Sequence, residues 1–353
     1  MEYLKDRVSH WVVLCVVLVG SSFIFINWSP SASTLLFQLQ EQCGPHPTAS
    51  PSSSNCNTST AVDESYKDKL DGVLAETSME GKMLIIAMFN KAYVEGDKSM
   101  LDIFLDGFWS GEGTRPFVDH LLLVSMDQTS WERCKFLRLH CYRIQTTGDE
   151  HFDKEELFMS RAFIDMMWRR TLFLKDVLTR GYSFIFTDTD ILWLRDPFPR
   201  LNESVDLQVS VDRFNGKRWS EQNPINTGFY MIRSNNKTIK LFEEWYARRN
   251  NNSSYGLKEQ DVLENMMHGG MFRKLGLKVR FLETVFFSGF CQNSKDIYVV
   301  TTFHANCCRT VAAKVTDLTA ALRDWKRFKA SSPNQTVPLP FRWSKHKACA
   351  NTF

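Results

Sequence analysis

Between Arg7 and Glu41 the chain has no Asp, Glu, Lys or Arg. An uncharged stretch of that length excludes an ordinary solvated leader and leaves room for the roughly 20 apolar residues that a membrane crossing needs. Just outside it, Lys5 and Arg7 oppose Glu2 and Asp6, a bias toward a cytosolic N-terminus. Residues 1–10 therefore read as a cytosolic tail and 11–28 as a signal-anchor. Cleavage near Ser31-Ala32-Ser33 is the competing reading. Apolar residues are then scarce over 29–65, which is rich in Ser, Thr, Pro, Asn and Gln. Such a segment buries too little surface to offset its ordering entropy and reads as a flexible stem. No block of Lys and Arg interleaved with aromatics occurs, and the net charge is only +3, so a nucleic-acid partner is excluded. No internal repeat occurs, which excludes a solenoid. Nor is there a paired Cys-x-x-Cys pattern, so zinc is the poorer use for Cys43, Cys56, Cys134, Cys141, Cys291, Cys307, Cys308 and Cys349. Disulfides are the better one, with Cys134–Cys141 a plausible local bridge. Sequons at Asn57, Asn202, Asn236, Asn251, Asn252 and Asn334 point to the same oxidising lumen.

What remains, 66–353, is long enough for one large domain. Apolar runs at Met83–Phe89 and His120–Ser125, with a third at Cys141–Ile144, read as strands; amphipathic spacing over Ser99–Trp109 and Glu155–Arg180 reads as helices. That alternation predicts an α/β fold with a parallel sheet and right-handed crossovers. The last of these helices ends at Gly181 and feeds the strand Tyr182–Thr187, which delivers Asp188 and Asp190 to its C-terminal end. Two residues apart on extended backbone, these carboxylates point the same way, and open α/β sheets hold ligands at that end of their strands. The pair reads as a site for a divalent cation and the diphosphate it neutralises. Adjacent carboxylates repel, so Asp190→Asn is expected to spare folding or improve it. Further strands are expected at Gln208–Asp212 and Pro224–Arg233, helices at Lys237–Arg249 and Glu259–His268, and Thr301–His304 closes the catalytic elements.

Thr187-Asp188-Thr189-Asp190 with Trp193 and Asp196-Pro197, then Asn226-Thr227-Gly228-Phe229, Glu259-Gln260-Asp261 and Phe303-His304-Ala305-Asn306-Cys307-Cys308, together resemble the plant nucleotide-diphospho-sugar transferase family, over roughly residues 80–330. The family is related to the extensin arabinosyltransferases and rhamnogalacturonan xylosyltransferases. The resemblance implies a GT-A fold, a Mn²⁺ or Mg²⁺ cofactor, and a type II Golgi membrane protein. It also implies retaining transfer of a pentose from a UDP-sugar to a cell-wall glycan or glycoprotein. By motif, Asp188 and Asp190 hold the metal and nucleotide, and His304 supplies a third ligand. Asn90, Lys91 and Tyr93 match the nucleotide-contacting loop, with a base on Tyr93 and phosphate near Lys91. Asn226, Gln260 and Asp261 match segments flanking the transferred sugar; Asp261 also suits a helix N-terminus. Arg161 and Arg169, eight residues apart on one helix, share a face from which one could offset diphosphate charge.

Two other functions fit part of the pattern. A haloacid-dehalogenase-like phosphatase also uses a strand followed by Asp-x-Asp, but needs further acidic residues downstream, and neither Asp-Asp nor Gly-Asp-x-x-x-Asp occurs after Asp190. A non-catalytic sugar-binding protein on a degenerate transferase fold would keep the motifs without turnover.

Overall fold

The computed structural model describes residues 69–145, 152–331 and 337–352. The expected anchor and stem, Cys43, Cys56, and the sequons at Asn57 and Asn334 lie outside the described residues. None of the helices among the described residues is long and apolar enough to cross a membrane.

A helix over 69–77 leads into β1 (Met83–Phe89). Next come a helix at Met100–Ser110 (α1), β2 (Leu121–Ser125), a helix at Gln128–Phe136 (α2), β3 (His140–Arg143), a long helix at Arg161–Thr179 (α3) and β4 (Ser183–Thr187). All three strand neighbours in this half are parallel: β1 with β2, β2 with β3, and β1 with β4. Because β2 and β3 lie on one side of β1 and β4 on the other, the chain reverses its direction of build at the β1/β4 boundary. That reversal opens a crevice at the C-terminal ends of the two strands.

The parallel expectation stops there. β6 (Leu207–Val211), β7 (Ile225–Ile232) and β8 (Val279–Phe281) complete the order β3-β2-β1-β4-β7-β6-β8, with β7 antiparallel to both β4 and β6. A second sheet, β5-β10-β9, is built from three-residue strands at Ile191–Trp193, Thr302–His304 and Phe287–Gly289. Strands so short carry too little periodicity to be read from sequence. The helix expected over Glu155–Arg180 begins later, at Arg161, because the Ser160 side chain accepts from Phe163 N and caps it.

Alternate residues of β1 enter different cores: Leu84, Ile86 and Met88 face α3, while Ile85, Ala87 and Phe89 face α1. Both faces of β1 are therefore covered, which is why its sequence is continuously apolar. Trp193 stacks on Phe108 of α1, ring centres 4.7 Å apart, and its Nε1 donates to Thr187 Oγ1 at 3.2 Å. A third core joins Leu192, Leu194 and Phe303 to Leu318, Leu322 and Trp325 of a helix at Val311–Ala330 (α4). Three disulfides occur among the described residues: the expected Cys134–Cys141, together with Cys291–Cys307 and Cys308–Cys349. The vicinal Cys307 and Cys308 thus tie the segment after β10 to two different parts of the chain.

Candidate metal and nucleotide site

Antiparallel pairing sets the position of the first carboxylate, since Thr187 lies opposite Phe229 and Asp188 N donates to Gly228 O at 2.6 Å. Asp190 immediately precedes β5, whose pairing with β10 sets Ile191 opposite His304, and Ala305 N donates to Asp190 O at 3.0 Å. Asp188, Asp190 and His304 each offer a ligand atom, all within 4.8 Å of one another. They form part of the wall of a cavity of about 340 Å³ at the β1/β4 crevice.

Charge in this wall is closely matched. Asp190 is 3% exposed, with Lys314 Nζ of α4 2.8 Å from Oδ2 and His304 Nε2 3.3 Å from Oδ1. Burial favours its neutral form, but the two cations outweigh burial and hold Asp190 far below the usual carboxylate range. Burial works against the His304 proton and the Lys314 proton, yet Asp190 raises both. Asp188 goes the other way: burial pushes it up to about 6, Arg170 opposes this, and the Asp190 charge adds to it. Arg170 Nη1 lies 2.8 Å from Asp188 Oδ1 while Nη2 lies 2.5 Å from Glu259 Oε1. Thr227 Oγ1 completes that link, donating to Glu259 Oε1 at 2.8 Å. Burial opposes ionisation of both partners, but their mutual attraction raises Arg170 and lowers Glu259, a buried ion pair that survives because each partner is present.

Two carboxylates and one imidazole suit Mn²⁺ or Mg²⁺ better than a soft metal. The backbone leaves space for such an ion: a Cβ on Gly228 would stand 2.6 Å from Asp188 Oδ2 and 2.6 Å from His304 Cε1. Gly228→Ala is therefore expected to lower Mn²⁺ affinity on the order of 10–100-fold while costing about 1–3 kcal/mol in stability. Mn²⁺ titration by calorimetry reads the first effect, and unchanged affinity would remove the metal from this triad.

Of the residues anticipated from sequence, Asn90, Tyr93, Asp188, Asp190, Asn226, Gln260 and His304 all line the cavity. Asn90 is 1% exposed and spends its amide on backbone, capping Lys91–Tyr93 through Ala92 N and donating to Lys154 O. Tyr93 keeps its phenol neutral, burial pushing it up to about 12. Gln260 Oε1 accepts from Thr227 N at 3.0 Å. Four residues are not brought to the cavity. Lys91 turns to Glu95 at 3.5 Å, Arg161 to Asp165 at 2.9 Å, Arg169 to the carbonyl of Gln145, and Asp261 to Lys258 Nζ at 3.2 Å. Arg161 and Arg169 do share a helix face, but it is the wrong one by a single residue: 100° of rotation turns Arg170 inward instead. A signal was present, because Arg170 falls on the apolar stripe Phe163, Met167, Leu174 and Val177, where an arginine must be paired. Glu259 likewise replaces Asp261 as the buried acid at the start of the helix Glu259–His268. Lys314 has no comparable signal; only the packing of α4 brings it to Asp190.

An acidic and imidazole cluster that could hold a metal ion, backed by Arg170 and Lys314, thus lies in the crevice of a mixed α/β sheet. The chain belongs to the nucleotide-diphospho-sugar transferase family, whose model matches residues 116–318. An uncharacterised Arabidopsis thaliana protein is 53% identical over 291 residues, covering 81% of this chain and 84% of that one. A second from the same plant is 37% identical over 295 residues, covering 83% and 77%. A beta-arabinofuranosyltransferase of Arabidopsis thaliana is 27% identical over 145 residues, covering 37% of this chain and 26% of its own.

Proposed function

We propose that this chain is a metal-dependent glycosyltransferase of the GT-A type. It moves a sugar, a pentose such as arabinose or xylose, from a UDP donor to a cell-wall glycan or glycoprotein, with retention of configuration. The observation that carries the reading is the convergence of Asp188, Asp190 and His304 within 4.8 Å on one cavity wall. Mn²⁺ or Mg²⁺ bound there supplies the positive charge that stabilises a departing diphosphate. The chain's own residues do the rest. Lys314 and Arg170 add fixed cationic charge to the same wall, where low exposure strengthens it. Tyr93, Phe163, Met166 and Met167 line the cavity with apolar surface suited to a nucleobase. Gln260 offers its NH₂ at the sugar end, while the Asn226 amide beside it is held by Gly228 N and Asp212.

The pentose choice is supported by the arabinofuranosyltransferase among the relatives. A Golgi lumen, reached by a single type II anchor, is supported by the uncharged N-terminal stretch and by three disulfides. The sequons at Asn202, Asn236, Asn251 and Asn252 add support, since all four side chains are exposed. The test is a panel of UDP- and GDP-sugars offered to the purified chain with Mn²⁺, read by donor hydrolysis and transfer. Turnover of UDP-arabinose or UDP-xylose is expected. Exclusive use of a hexose donor removes the pentose, and failure to bind any nucleotide in the presence of Mn²⁺ removes the enzyme.

A further inference from the structure

Asp212, which follows β6, stands in the cavity wall with Asn226 and Asn306. Its Oδ1 accepts from both amides, Asn226 Nδ2 at 2.8 Å and Asn306 Nδ2 at 2.8 Å. The direction of each amide is fixed independently at its other end. Gly228 N donates to Asn226 Oδ1 at 2.9 Å, and Cys291 N donates to Asn306 Oδ1 at 3.1 Å. A backbone N–H can only donate, so both carbonyls are claimed and both NH₂ groups must turn to Asp212. The support is rigid as well as oriented. A Cβ on Gly289 would overlap Asn306 Oδ1, and the Cys291–Cys307 bridge closes the loop that carries both Asn306 and the N–H it accepts from.

These contacts use one carboxylate oxygen. The other, Oδ2, takes no hydrogen bond from any described residue, although Asp212 is half-buried. Oδ2 is not sealed from solvent, so it stands as a carboxylate acceptor that a ligand hydroxyl entering the cavity can reach. The ligand's position follows from Asn226, whose Oδ1 lies 2.9 Å from the point where a Gly228 Cβ would stand, itself 2.6 Å from Asp188 Oδ2. Asp212 is therefore one side chain away from the cation site, where the group attached to a bound diphosphate would lie. Resting on the transferase reading above, we infer that Asp212 is a specificity-determining residue whose Oδ2 accepts a hydrogen bond from a hydroxyl of the transferred sugar, with Asn226 and Asn306 as its positioning residues. Sites that pair with a substrate hydroxyl reject analogues lacking it far more strongly than apolar pockets reject a missing methylene.

Asp212→Asn tests this with almost no change in shape. Since both neighbouring amides are fixed as donors, the new side chain must turn its carbonyl to them and its NH₂ to the cavity, reversing the polarity of one atom. The expected result is an unchanged melting shift with Mn²⁺ plus UDP, together with a fall on the order of 100-fold in kcat/KM for UDP-xylose or UDP-arabinose. Asp212→Ser, which removes the carboxylate and leaves room for water between the amides, gives the same split should the first variant fold poorly. A kcat/KM within about threefold of wild type, by the same comparison of transition-state binding, overturns the assignment of Asp212 and leaves the transferase reading standing. Absence of any UDP-induced shift in the wild-type protein overturns both.

Discussion

Asp190→Asn is expected to lower transfer on the order of a thousandfold or more and, in the same protein, to lower the melting temperature. The catalytic loss follows from removing one charged ligand of three around the cation site. The stability loss reverses what repulsion between neighbouring carboxylates predicts from sequence. In the folded chain Asp190 has Asp188 nearby but is in direct contact with Lys314 and His304, so neutralising it strands two buried cations. Breaking such a pair costs about 3–5 kcal/mol, from which relief of the Asp188–Asp190 repulsion subtracts a part. Thermal melts of wild type and variant, each with and without Mn²⁺ plus UDP, separate the two effects. Equal ligand-induced shifts in both proteins would rule Asp190 out as a ligand, and an unchanged melt without ligand would rule out the ion-pair account.

Arg170→Leu is expected to be the most destabilising single change at the site. Arg170 is 7% exposed, lies over the Phe186 ring at 4.7 Å, and is the counter-charge of both Asp188 and Glu259. Without it Glu259, 1% exposed and already holding one unsatisfied oxygen, becomes an uncompensated buried carboxylate. The loss should be about 3–5 kcal/mol by urea unfolding. Adding Glu259→Leu should then recover most of it, because replacing a whole buried pair with apolar side chains is often neutral. Additive losses in the double variant would show that Arg170 stabilises by packing alone. Mn²⁺ makes a second distinction: it should stabilise Arg170→Leu by more than wild type, since the ion supplies the charge that Asp188 has lost.

Three parallel strands were legible because a strand covered on both faces is continuously apolar, and β1, β2 and β4 satisfy that locally. Asp188 and Asp190 were legible for a related reason, as two like-facing carboxylates at the end of such a strand need no partner to be recognised. Cys134 and Cys141 are close enough in sequence for their bridge to be a local matter. The antiparallel β7, the sheet of three-residue strands and the choice of Arg170 over Arg169 were decided only in three dimensions. Each depends on contacts between segments far apart in the chain, as in the Arg170–Glu259 bond across 89 positions. His304 was suggested by motif resemblance, yet what brings it to Asp190 is the antiparallel register of β10 on β5. Lys314 and Asp212 had no local mark at all. A sequence pattern records which side chains avoid water, because burial acts on each residue separately. It does not record which charge will face which, because the low dielectric that makes those pairings decisive exists only once the tertiary structure has closed around them.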